Sequence, residues 1–131
     1  IAISRLGPAL SQIKELSLPM PQLGAETVSG EIIYVDAFGN LVTNIDRDTL
    51  ARFQTRFNGR ELLVSVEGSA AMRIFKTYGD APSGTPLATF GSFDLLEIAV
   101  RDASATEHFS RREGARVFVK PKRRSDWNIH E

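Results

Sequence analysis

Cysteine is absent from the 131-residue chain. That excludes disulfides, thiol nucleophiles and cysteine metal sites together, and it fits a reducing, cytoplasmic setting. Histidine occurs only at His108 and His130, too far apart in sequence to form a ligand pair at helical spacing, so neither a metal nor a cofactor is expected. Charge of one sign is also missing. Sixteen basic residues balance sixteen acidic ones, so no global field points to nucleic acid or an anionic membrane as partner. No apolar run approaches the length of a membrane span, and the first residues lack a secretory layout. The start Ile1-Ala2-Ile3 has no initiator Met and reads as processed, tagged or truncated. The glycines never form a Gly-x-x-x-x-Gly-Lys phosphate loop, and Ser92, between Gly91 and Phe93, is not set in a nucleophile elbow. Taken alone, the chain does not carry the residues of a complete enzyme, and no catalytic residue is assigned.

What is present suits one domain. A chain of this length buries roughly two-thirds of its unfolded surface around a single core, and 42% hydrophobic with 24% charged residues is ordinary for a globular protein. Short β-type runs fall at 31–36, 41–45, 61–67, 72–76, 86–90, 95–100 and 116–120, separated by turn signals such as Gly39-Asn40, Asn58-Gly59 and Pro82-Ser83-Gly84. Short strands with tight connections predict an all-β fold, a small closed Greek-key-like β-barrel or a sandwich, because closure removes exposed sheet edges. Two short helices are expected between strands. Asp46 caps the first, with Leu50 and Phe53 on one face. Ser104 caps the second, with Glu107 completing a capping box and Gly114 as the stop.

Residues 1–28 differ from the rest. Pro8, Pro19 and Pro21 flank a short apolar stretch, and the residue before each proline is pushed away from helix. This segment reads as a linker or strap, and residues 29–131 as the barrel domain. The basic tail Lys120-Pro121-Lys122-Arg123-Arg124 reads as a solvated terminus.

Three clusters carry recognition chemistry. The hairpin Tyr34-Val35-Asp36-Ala37-Phe38-Gly39-Asn40-Leu41-Val42-Thr43-Asn44-Ile45 offers an aromatic face in Phe38 and amides in Asn40 and Asn44, groups able to hold a planar heterocycle. A plainer reading also stands: Gly-Asn supplies turn geometry by itself, and Phe38 plugs a barrel end. Thr77-Tyr78-Gly79-Asp80 sets an aromatic at a strand end, either as a half-buried rim residue or as a wall of the site. The third cluster runs from Ser92 to Asp102. There Glu97 interrupts an apolar strand and alternation sends it outward between Leu96 and Ile98, while Arg101-Asp102 reads as a surface ion pair.

The run from Gly30 to Ile45 resembles the opening of the C-terminal domain of the S-adenosylmethionine hydroxide adenosyltransferase family, which also includes fluorinating and chlorinating enzymes. The likeness continues in order through Thr77-Tyr78-Gly79-Asp80-Ala81-Pro82-Ser83-Gly84, Ser92, Leu95-Leu96-Glu97-Ile98-Ala99-Val100, Ala103-Ser104-Ala105 and Gly114-Ala115-Arg116-Val117. The resemblance implies a small closed barrel, the C-terminal half of a two-domain protein. It implies adenosine or S-adenosylmethionine as ligand, held between the barrel and the N-terminal domain of a neighbour in a trimer. S-adenosylmethionine would be a substrate, cleaved by water to adenosine and methionine, and the barrel would not be catalytic by itself.

Carried over by motif, Asn40 hydrogen-bonds the adenine edge, Phe38 shapes the turn and Tyr78 packs on the base. Arg101 and Asp102 read adenine through their backbone, and Ser92 with the amide of Phe93 meets the methionine carboxylate. The chain departs from the family pattern at four places. Gly91-Ser92 replaces Asn-Ser, Asp94 replaces a glycine, Ala37 stands where an Arg is frequent, and Arg101 lies near a common Asn. The alternative of a different class is a non-catalytic oligomerisation or binding module that has lost the ligand.

Overall fold

The structure, a computed structural model, describes residues 20–91 and 93–123. The lead-in before residue 20, Ser92, and the tail from residue 124, with Trp127 and His130, lie outside the described residues. The strands are β1 (Gln22–Leu23), β2 (Val28–Val35), β3 (Leu41–Asp46), β4 (Leu62–Val66), β5 (Met72–Arg73), β6 (Pro86–Phe90), β7 (Leu95–Val100) and β8 (Arg116–Pro121). Helix α1 (Arg47–Thr55) follows β3, and α2 (Ala105–Phe109) follows β7.

The strands form one antiparallel sheet in the order β5-β4-β8-β2-β3-β7-β6, with β1 paired to β2. A parallel bridge from Ile74 to Ala88 brings the two ends of that order together, and the Phe75 amide donates to the Ala88 carbonyl at 2.7 Å. The sheet is thereby nearly closed into a barrel. Alternation explains the interior: Val28 and Ile32 of β2, Leu41 and Ile45 of β3, Val64 and Val66 of β4, Leu96 and Ile98 of β7, and Val117 and Val119 of β8 all point into one core. Thr43 shares that face without an unmet polar group. Its hydroxyl donates to the Leu96 carbonyl at 2.8 Å and accepts the Ile45 amide at 3.1 Å.

Asp46 caps α1 as expected, accepting the Thr49 amide at 3.0 Å and the Thr49 hydroxyl. Leu50 and Phe53 then turn into the core. Ser104 caps α2, accepting the Glu107 amide at 3.4 Å. The stop differs from expectation: α2 ends at Phe109 because Ser110 takes a left-handed conformation (φ 54°), and Gly114 (φ 92°) instead belongs to the turn before β8. The start of the sheet also differs. Residues 22–28, read as part of a strap, contribute β1 and the first residue of β2, joined by a turn in which the Gly24 amide donates to the Thr27 carbonyl at 2.7 Å. Among the described residues no helix is long and apolar enough to cross a membrane.

Candidate functional site

The β2–β3 turn is built by one carboxylate. Asp36 Oδ1 accepts the amides of Phe38 (2.9 Å) and Asn40 (3.0 Å), while the Asp36 carbonyl accepts the Gly39 amide at 3.0 Å. The chain reverses over residues 37–39, with Gly39 at φ 81° as the left-handed residue. Gly39 is required twice, since a Cβ there would also meet the Ser104 hydroxyl. The Gly39 carbonyl accepts both the amide (2.9 Å) and the hydroxyl (3.0 Å) of Thr106, which fastens the turn to the start of α2. Asn40 is not among the positive-φ residues, so the backbone does not demand an asparagine there.

The turn forms one wall of a cleft of about 640 Å³. Phe38 and Asn40 line it with Thr77 and Tyr78 from the turn after β5, Thr89 and Gly91 at the end of β6, Glu97 and Ala99 of β7, and Asp102 and Ala103 beyond β7. Phe38 is 73% exposed, so it stands at the rim and does not plug the barrel. Asn40 is only 8% exposed. Its Nδ2 donates to Asp36 Oδ2 at 3.3 Å.

Tyr78 is clamped by both ends of its hydroxyl, which donates to the Val100 carbonyl at 3.0 Å and accepts the Asp102 amide at 2.7 Å. Arg101 reinforces the same turn from the other side. Its guanidinium donates to the carbonyls of Gly79 (3.0 Å) and Ala81 (2.5 Å). The ring therefore presents a set face to the cleft.

Of the residues singled out by sequence, the structure brings together Phe38, Asn40, Tyr78 and Asp102. Arg101 does not line the cleft. Its amide donates to the Thr85 carbonyl at 3.1 Å and its carbonyl accepts the Gly84 amide at 2.9 Å. The Phe93 ring packs elsewhere, against Val42 with Ile33, Tyr34 and Leu95. Asn44 shares the hairpin with Asn40 but not the cleft; its Oδ1 accepts the Glu31 amide at 2.9 Å across an irregular β2–β3 register.

Glu97 corrects the sequence expectation. Alternation does turn it away from Leu96 and Ile98, yet that face of β7 is covered, and Glu97 is 4% exposed with its carboxylate packed against Gly91. Asp94 is exposed, pairs with Arg47 at 3.2 Å and holds φ 58°, a left-handed position that suits the glycine of the family pattern.

A second cleft of about 600 Å³ lies between the β4–β5 turn and α2, lined by Ser69, Phe75, His108, Phe109 and Arg111. His108 is exposed there, edge-on to Phe109. Arg111 lies 3.9 Å from Glu67. Of the aromatic and amide groups singled out by sequence, Phe38, Asn40 and Tyr78 converge in the first cleft. Among the described residues no three His, Cys, Asp or Glu side chains gather as metal ligands.

A nearly closed small barrel with a cleft walled by an aromatic turn, a carboxamide and a clamped tyrosine defines the class: a small β-barrel domain with one aromatic and polar cleft beside its β2–β3 turn. The sequence matches the SAM hydroxide adenosyltransferase C-terminal domain over residues 30–118, and the chain belongs to that family. It is 33% identical over 112 residues to the (R)-S-adenosyl-L-methionine hydrolase of Thermus thermophilus, covering 86% of this chain and 39% of that protein. It also resembles the crystal structure of an uncharacterized conserved protein from Thermotoga maritima, with TM-score 0.67 and 32% identity over 79% of this chain and 40% of the other. A conserved hypothetical protein from Thermus thermophilus matches with TM-score 0.59 and 31% identity over 78% and 38% of the two chains. The chain thus spans about two fifths of the length of these relatives.

Proposed function

We propose that the barrel is the purine-binding part of an S-adenosylmethionine-cleaving protein and that it holds adenosine or S-adenosylmethionine in the Phe38–Asn40–Tyr78 cleft. The observation that carries this reading is the convergence of those three residues, from two turns distant in sequence, on one cleft of about 640 Å³. A neutral heterocycle offers a flat face and a few polar edge atoms, and it is recognised by aromatic faces and amides without net charge. Asn40 supplies a carboxamide whose oxygen can accept a hydrogen bond from the amino group of adenine. The name of the Thermus thermophilus relative, an S-adenosyl-L-methionine hydrolase, supports the ligand class. In the parent reaction water attacks the ribose 5′ carbon and the sulfonium leaves as methionine, giving adenosine. The barrel contributes recognition to that reaction and a second domain or subunit the remainder, and the exposed ring of Phe38 on the rim suits closure of the site by such a partner.

Titration of the 131-residue chain with adenosine and with S-adenosylmethionine, followed by calorimetry or protein-detected NMR, tests this. Binding in the millimolar range or tighter, abolished by Asn40→Ala, supports the reading. Silence in both titrations leaves the family fold in place as a ligand-free assembly module.

A further inference from the structure

We propose that the cleft between the β4–β5 turn and α2 is a second binding site, one that takes a small monoanionic carboxylate with a flat apolar body. It shares no lining residue with the cleft assigned to the purine, and it stands or falls apart from that reading. Its volume, about 600 Å³, is that of an ordinary small-ligand site. Much of the lining is apolar. Met72 is buried, and Phe75, Pro86 and Phe109 are half-buried beside it, so two aromatic rings are available to a planar ligand.

The polar part of the lining is short of acceptors. Arg111 reaches over Gly68, where a Cβ would stand 3.4 Å from its Nη2. Its Nη1 donates to the Ser110 carbonyl at 3.1 Å. Its Nε is closed off from solvent, and among the described residues neither Nε nor Nη2 has a hydrogen-bond partner. Glu67 Oε2 lies 3.9 Å from Nε, near enough to attract but too far to bond. Glu67 is itself held in place, since its Oε1 accepts the Arg116 amide at 2.7 Å. Unmet guanidinium donors are costly, and a carboxylate matches their planar fork best. A ligand carboxylate on Nη2, with its apolar body against Phe75 and Phe109, supplies the missing acceptor. Charge then limits the anion. Arg73 is already engaged by Glu61 at 2.7 Å. With Glu67 on the same wall, Arg111 balances one further negative charge and a second is repelled, so a carboxylate fits and a phosphate dianion does not.

Protein-detected NMR titration of the 131-residue chain with phenylacetate, its neutral amide phenylacetamide, and acetate tests this. Phenylacetate is expected to bind with a dissociation constant of about 1–10 mM, as suits so small a ligand. It should shift the amides of Ser69, Ala70 and Phe109 and leave those of Phe38 and Tyr78 in place. Phenylacetamide should bind there about fivefold more weakly or worse, for want of the charge. Acetate, which lacks the ring, should shift nothing at the same concentration. Arg111→Gln is expected to bring the acid down to the affinity of the amide. Should that variant fold poorly, two further measurements decide. Added sodium chloride should weaken the acid and spare the amide. Ala71→Leu, at an exposed position on the cleft wall, should weaken both alike. Equal binding of acid and amide by the natural chain overturns the proposal, as does an absence of binding or a set of shifts confined to the purine cleft. An acid-to-amide ratio unchanged in Arg111→Gln overturns the role given to Arg111, and full affinity in Ala71→Leu overturns the location.

Discussion

The carboxylate of Glu97 occupies the space that a side chain at Gly91 would need. Gly91 has no positive φ, so its lack of a Cβ answers a neighbour and not a backbone strain. Gly91 directly follows β6 and Glu97 lies on the neighbouring β7, both beside the cleft, so a side chain can be added at 91 only if Glu97 gives way.

Gly91→Ala is accordingly expected to destabilise the barrel by about 1–3 kcal/mol, the range for forcing a methyl into filled space. Adding Glu97→Ala should recover much of that loss, because it empties the same volume. Urea unfolding of the two single variants and the double variant gives the interaction energy. Effects that simply add, within about 0.5 kcal/mol, would show that the two residues do not share space.

The clamp on Tyr78 makes a second expectation. Arg101→Lys keeps the charge but replaces the longer, planar guanidinium, one NH2 of which bridges the carbonyls of Gly79 and Ala81, with a shorter side chain ending in a point-like ammonium. Hydrogen exchange at the amides of Asp80 and Ala81, which bond within this turn, should speed up by about tenfold or less, one modest hydrogen bond's worth, while amides of β2 and β8 stay protected. Adenosine affinity should fall by a similar factor through the loosened Tyr78. Unchanged exchange in the turn would mean that the tyrosine hydroxyl alone suffices.

Tyr78→Phe probes that hydroxyl directly. It leaves the Asp102 amide without its 2.7 Å acceptor and the Val100 carbonyl without one of its donors. Because the site is partly exposed, water replaces some of the loss, and a cost of about 0.5–1.5 kcal/mol is expected in thermal unfolding. A Tyr78→Phe protein as stable as the natural one, with adenosine affinity intact, would place the ring's support elsewhere.

How much of this was legible in the sequence depended on whether the deciding contact was local. The caps at Asp46 and Ser104 lie within three residues of the amides they accept, and both were readable. Leu62, Val64 and Val66 alternate inside a run read as strand and share one buried face, whereas Val28, in the segment read as strap, joins β2 only through its pairing with β1 and β8. Glu97 escapes such a reading because alternation tells which face a residue takes, not what covers that face. Asn40 and Asn44 look like a pair in sequence, yet four residue steps along the strand set them about 13 Å apart, and the cleft lies at the Asn40 end. Arg101 pointed to a surface ion pair with its neighbour, and indeed lies 3.9 Å from Asp102. Its bonds to the Gly79 and Ala81 carbonyls, about twenty residues back, follow only from the barrel's closure.

The last expectation concerns acid. Burial alone would raise the Asp46 carboxyl, but hydrogen bonds from the Thr49 hydroxyl and amide, helped by Arg52, outweigh it and hold the group below its ordinary value of 3.8. A carboxyl lowered on folding stabilises the folded state above its unfolded pKa, and that contribution fades as pH falls through the folded value. Asp46→Ala should cost about 1 kcal/mol near neutrality, the usual worth of an N-cap. Asp46→Asn keeps a capping oxygen and loses only the charge. The stability gap between the natural chain and Asp46→Asn, measured by urea unfolding across pH, should be constant above the carboxylate range and close as the pH drops below 3.8. A gap that persists unchanged in acid would mean that the charge of Asp46 adds nothing to the cap.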